Sequence, residues 1–172
     1  MSIEIRDYDP AWPAAAERAV REACAALGDT VTVAEHVGST AVPGLPAKPI
    51  IDLMAAAPSL DAVRAREDRL SELGYEHVDA HMPRRLLYRR PGYHLHIVTA
   101  DTWDTRNQRI LRDHLRANDQ DRDAYAALKR ELAGSAEDAD AYTRGKTALI
   151  QQIMDRARAE RGLPPVNVWE AG

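Results

Sequence analysis

Apolar side chains recur at three- and four-residue intervals from Trp12 through Ala15, Ala16, Ala19, Ala23 and Cys24 to Leu27, and Gly28 follows as a stop. Residues 10–27 are therefore predicted to form an amphipathic helix. The period then changes. Residues 31–37 alternate and are rich in β-branched side chains, which predicts a strand running into the turn Gly38-Ser39-Thr40. Pro43, Gly44, Pro46 and Pro49 exclude regular structure up to the apolar run 50–57, which reads as a strand buried on both faces. Residues 58–73 look helical, capped by Ser59 or Asp61 and closed by Gly74. Short strands are expected at 75–79, 84–90 and 93–99, the last two joined by the turn Pro91-Gly92. Helices are expected at 105–117, at 121–133 closed by Gly134, and at 138–161 closed by Gly162.

Helix, two strands, helix, three strands and three helices make an α+β chain with a helical C-terminal half. No repeat and no Gly/Ser-rich linker divides it, so residues 1–172 are expected to form one domain with its core at about 5–160 and an irregular tail at 163–172.

Charge narrows the function. Lys and Arg number 23 against 27 Asp and Glu, a formal net charge of -4, which argues against a general nucleic-acid binder. A single cysteine, Cys24, forms no internal disulfide and no thiolate metal cage, and no apolar run is long enough for a membrane span or a secretory leader. A cytoplasmic protein is the resulting expectation.

Candidate chemistry concentrates between Glu35 and Leu53. The Gly38-Ser39-Thr40 turn leaving a strand offers amides and hydroxyls to an anion, and Lys48 adds positive charge nearby. The same residues also serve as ordinary turn formers and helix caps, and the local sequence leaves both readings open. Strand parity adds a geometric expectation. Ile51 and Leu53 point to one side of their strand and Asp52 to the other, while Leu95 and Ile97 oppose His94 and His96. If these strands are neighbours with matched apolar faces, one carboxylate meets two imidazoles. Such a group suits metal ligation or proton transfer; the alternative is an Asp satisfied by backbone and two half-exposed histidines.

These segments carry a family resemblance. The stretch from Glu35 to Leu53, with residues 93–98, Arg112 to Arg116, Tyr125 with Leu128 and Lys129, and Tyr142 with Lys146, resembles the GrpB family over about residues 5–157. That family in turn resembles the nucleotidyltransferase superfamily, which implies a mixed sheet core. In that superfamily a Gly-Ser turn binds nucleotide phosphates and strand carboxylates hold divalent metal. By this resemblance Gly38, Ser39 and Thr40 form the phosphate turn, with Lys48, Arg112, Lys129 and Lys146 as further ligand contacts. Asp52, His94 and His96 become the catalytic and metal-holding residues.

One departure stands out: the superfamily places a second acid two residues after the first, and here that residue is Met54. One Asp and two imidazoles suit a single Mn²⁺ or Zn²⁺ better than a pair of Mg²⁺ ions. Two functions follow from the resemblance: metal-assisted transfer of a nucleotidyl group, with Glu35, His36 or a strand histidine as base, or a module that binds a nucleotide or other phosphorylated small molecule without turnover.

Other motifs are weaker. Gly145-Lys146-Thr147 mimics the end of a P-loop, but the glycine required at 140 is Asp140. His77 and His81 have metal spacing only on a helix. Arg84-Arg85 and Arg89-Arg90 bracket an apolar strand and read as the charged guard of a sheet edge.

Overall fold

The computed structural model describes residues 3–169. Its helices are α1 (Trp12–Leu27), α2 (Leu60–Arg64), α3 (Glu67–Glu72), α4 (Asn107–Ala117), α5 (Asp119–Ser135) and α6 (Ala139–Glu160). Its strands are β1 (Val33–Val37), β2 (Ile51–Ala57), β3 (Glu76–Val78), β4 (Arg85–Arg90) and β5 (Tyr93–Thr99). They form one sheet in the order β1-β2-β5-β4-β3. Only the central pair β2 and β5 is parallel, with Asp52 opposite His94 and Met54 opposite His96. This is the mixed sheet that the family resemblance implies and the helical C-terminal half that the chain pattern predicts.

Period two gives the sheet two faces. Ile51, Leu53, Leu95, Ile97, Leu86 and Tyr88 turn one way and meet Trp12, Ala16, Ala19, Ala23 and Leu27 of α1, with Val63 of α2 and Leu70 of α3. The opposite face carries a small apolar cluster of Val37, Met54 and Val98 under Trp103. A further core joins Ile110 and Leu115 of α4, Tyr125 of α5 and Ile150, Ile153 and Met154 of α6 to Val42 and Leu45, which follow the turn after β1.

Three expectations change. The helix expected over 58–73 is two short ones. Ser59 caps α2 through Ala62 N (3.2 Å), but the chain breaks at Ala65 and Arg66, where Arg66 Nη1 donates to the carbonyl of Leu27 at the end of α1 (2.8 Å). No glycine or proline marks that break; a tertiary contact accompanies it. Gly134 does not stop α5, which starts at Asp119 under an Asn118 cap and runs to Ser135. Most consequentially, β4 is not an edge strand: it lies between β5 and β3. Two of its three arginines are engaged. Arg90 stacks on Tyr75 and Tyr93 (4.6 and 4.4 Å to the ring centroids), and Arg85 Nη1 donates to Gln108 Oε1 (2.9 Å).

Candidate functional site

The turn after β1 is built for close approach. Gly38 adopts φ 78°, a left-handed conformation that glycine enters without a Cβ penalty. A Cβ there would stand 2.6 Å from Asp52 Oδ2, so the turn and the carboxylate touch only because residue 38 is glycine. Ser39–Ala41 form a single 3₁₀ turn that makes no side-chain cap bond, which removes the capping role left open by the sequence.

The parallel register of β2 and β5 brings Asp52, His94 and His96 together. Asp52 Oδ1 lies 3.4 Å from His94 Nδ1 and 3.5 Å from His96 Nε2. One ligand atom from each residue can be chosen so that all three lie within 4.8 Å of one another. Burial pushes the Asp52 carboxyl upward, but the two imidazoles outweigh it and hold the group down at about 2. One oxygen and two nitrogens around a half-buried pocket fit one transition-metal ion such as Zn²⁺ or Mn²⁺. They do not fit a two-ion cage. Met54, at the position of the superfamily's second acid, is fully buried among Val37 and Val98. Glu35 stands opposite Met54 in the β1–β2 register, yet Arg109 (3.0 Å) and Arg112 (3.5 Å) engage its carboxylate.

Beside this group lies a cavity of about 200 Å³ lined by Ser39, Thr40, Lys48, Asp52, His94, Lys129 and Lys146, among others. The three lysines reach it from the loop before β2, from α5 and from α6. Lys129 is buried, and its Nζ donates to Ser39 Oγ (2.6 Å) and the carbonyl of Pro46 (3.1 Å). Lys48 and Lys146 flank the Tyr142 ring at 4.7 and 4.9 Å from its centroid. Burial, then the Lys48 charge, lowers Lys146 to about 8. Burial, then Lys146 and Lys48, carries Lys129 well below the ordinary lysine range. Asp52 opposes both shifts without cancelling them.

The remaining candidates fall outside the cavity. Arg112 is buried, with its guanidinium directed to Glu35, Asp113 and the carbonyl of His36 (3.0 Å). It holds the strand that carries the turn. His36 bonds Thr40 Oγ1 (2.7 Å), and burial together with the charges of Arg116 and Arg112 lowers it to about 4. His77 packs on Tyr88 and His81 pairs with exposed Asp79; neither joins a metal-type cluster among the described residues. Gly145 lies inside α6, where a Cβ would meet Leu132 Cδ2 at 2.5 Å, so it serves the contact of α5 with α6 and forms no phosphate loop. The Glu35 clamp went unforeseen; its only sequence signal is the spacing of Arg109, Arg112 and Arg116 on one face of α4.

The profile of the GrpB protein family matches residues 2–156. The chain belongs to the GrpB family. UPF0157 protein BH1888 of Halalkalibacterium halodurans is 37% identical to it over 92% of this chain and 84% of that protein. The crystal structure of GrpB from Enterococcus faecalis superposes with a TM-score of 0.86 at 28% identity, covering 92% of this chain and 99% of that one. Terminal uridylyl transferase 4 from Trypanosoma brucei, solved with UTP and UpU bound, aligns with a TM-score of 0.54 at 15% identity over 92% of this GrpB chain and 59% of its own. That is a likeness of fold alone. No helix among the described residues is long and apolar enough to cross a membrane.

Proposed function

We propose that this GrpB chain holds a nucleoside triphosphate by its phosphates and transfers the nucleotidyl group to an acceptor. The observation that carries the reading is the convergence of Lys48, Lys129 and Lys146 on a cavity whose lining includes one carboxylate, Asp52. Three buried or half-buried ammonium groups facing one acid repel one another, and a polyanion relieves that repulsion. At about 200 Å³ the cavity is smaller than the roughly 300–1,000 Å³ that encloses a whole drug-sized ligand, so it suits a phosphate chain with the nucleoside outside.

The residues then divide the work. Lys129 orients Ser39 at the turn, and the lysines neutralise the phosphates. Asp52, His94 and His96 would hold one divalent ion, which supplies positive charge beside the phosphoryl group. In the transfer, an acceptor oxygen or nitrogen forms a bond to the α-phosphorus as the bond to the β-phosphate oxygen breaks. Pyrophosphate leaves with the electron pair, and the acceptor's proton passes to water. Glu35 and His36 are poor bases here, one engaged by two arginines and the other lowered to about 4.

A second reading, binding without turnover, is favoured by Met54, whose burial leaves no second carboxylate at that position. A thermal-unfolding panel of ATP, GTP, CTP and UTP, each with Mg²⁺, Mn²⁺ or Zn²⁺, tests both. Ligand at a hundred times its Kd contributes about 2.7 kcal/mol, a midpoint rise of roughly 5–10 °C for a chain of this size. The expected result is a rise that needs metal and one nucleotide and disappears in Asp52→Ala, followed by pyrophosphate release. Binding with no pyrophosphate across an acceptor screen selects the module, and no rise with any nucleotide overturns both.

A further inference from the structure

A second cavity, of about 330 Å³, is lined by residues of the same helix α6 and by Arg85 of β4. Tyr142 and Lys146 of α6 line the phosphate cavity, and Ile150 and Met154, which continue that four-residue series, line the second one. Four residues advance a helix by about 6 Å, so the two cavities follow one another along one helix face. On the sheet side they are bridged. His94 lines the first cavity and Arg85 the second, while His96 stands between, its Nε2 3.5 Å from Asp52 Oδ1 and its Nδ1 3.4 Å from Arg85 Nη1.

The two differ in chemistry. Met82, Leu111, Ile150, Met154, Val168 and Trp169 give the second cavity an apolar wall, and the amides of Asn107 and Gln108 supply its polar edge. No lysine lines it. Its outer wall is pinned to α6: Trp169 Nε1 donates to Thr147 Oγ1 (3.0 Å), and the amide of Val168 donates to Gln151 Oε1 (2.9 Å). The cavity is thus formed in advance of any occupant.

We propose that this cavity seats the acceptor, and that the acceptor is a small, mainly apolar molecule and not the end of a nucleic acid. The inference rests on the nucleotidyl-transfer reading and adds the substrate class. Position supports it. The lysines share one cavity with Asp52 and His94, and His96 links that group to Arg85 of the apolar cavity, so leaving phosphates and attacking group would occupy separate, neighbouring spaces, as in-line displacement requires. Chemistry supports it as well. A nucleic-acid strand needs a run of cations along its backbone, whereas this lining is apolar and the chain carries a net charge of -4. A volume of about 330 Å³ matches the low end of small-molecule sites.

The test uses 4-fluorophenol as a neutral apolar probe, observed by ¹⁹F NMR on the full chain, with inorganic tripolyphosphate reporting separately on the lysine cavity. The expected result has three parts. Binding is saturable; Mn²⁺ broadens the bound resonance in the wild type and not in Asp52→Asn; and affinity falls about tenfold in Leu111→Trp, which fills the cavity, and several-fold in Trp169→Ala, which opens it. Both cavity variants are expected to keep the tripolyphosphate shift in melting temperature, which shows them folded. Absence of saturable binding, binding indifferent to both variants, or displacement of the probe by a uridine hexanucleotide with steep salt dependence overturns the proposal. If tripolyphosphate fails to stabilise the wild type, the nucleotide reading falls and the acceptor role with it. If tripolyphosphate stabilises but the probe does not bind, only the acceptor class falls.

Discussion

Gly38 approaches Asp52 so closely that residue 38 has no room for a side chain. Gly38→Ala would combine a positive φ with a Cβ 2.6 Å from the Asp52 carboxylate. We expect it to cost about 1–3 kcal/mol in urea unfolding and to weaken tripolyphosphate binding as Asp52 is displaced. Lys146 offers a test by pH. Its pKa in the fold, about 8, lies below the ordinary 10.5, so folding favours its neutral form. The unliganded protein therefore gains stability from this residue as pH rises from about 8 toward 10.5. A bound phosphate favours the ammonium and reverses that. The contribution of Lys146 to tripolyphosphate affinity should accordingly be constant below about pH 8 and fall above it, and Lys146→Arg, which keeps its charge, should remove that part of the pH dependence in calorimetric titrations. The facing of Asp52, His94 and His96 was legible from strand parity, because a period of two leaves no choice of side. Lys48 was legible from its place after the Gly-Ser-Thr turn, whereas Lys129 and Lys146 came only from family resemblance, since no local pattern brings two distant helices to that loop.

Among the elements, α4 does the least expected work. Its Arg109, Arg112 and Arg116 reach Glu35, the carbonyl of His36 and the carbonyl of Ala41, so one helix face straps down β1 and the turn behind it. By resemblance Arg112 stands as a ligand contact, and its four-residue spacing from Arg116 fixes a helix face but not what that face meets. Arg112→Ala should cost about 2 kcal/mol, the scale of hydrogen bonds to charged groups. It should also lower tripolyphosphate affinity although Arg112 does not line the phosphate cavity. Arg112→Lys should recover only part of the loss, because one ammonium does not span Glu35 and the His36 carbonyl as the guanidinium does. The placement of β4 teaches the same lesson. Flanking arginines look like edge protection, but only the sheet order reveals that this strand has a neighbour on each side.

For the molecule as a whole, the donor set predicts metal preference. One carboxylate and two imidazoles favour Zn²⁺ or Mn²⁺ over Mg²⁺. The metal-dependent part of the nucleotide-induced melting shift should follow that order and vanish with excess chelator. By itself the sequence determined where most elements begin and end, which side of each strand is apolar, and that the chain is α+β. Those properties follow from backbone period and from turn and cap chemistry, which act over a few neighbouring residues. The tertiary structure decided which strands are neighbours and that Glu35, opposite Met54, is engaged by Arg109 and Arg112. It also decided that lysines from a loop and two helices share one cavity and that an apolar cavity adjoins it. These depend on packing between segments distant in the chain, and no local period encodes which distant surfaces will meet.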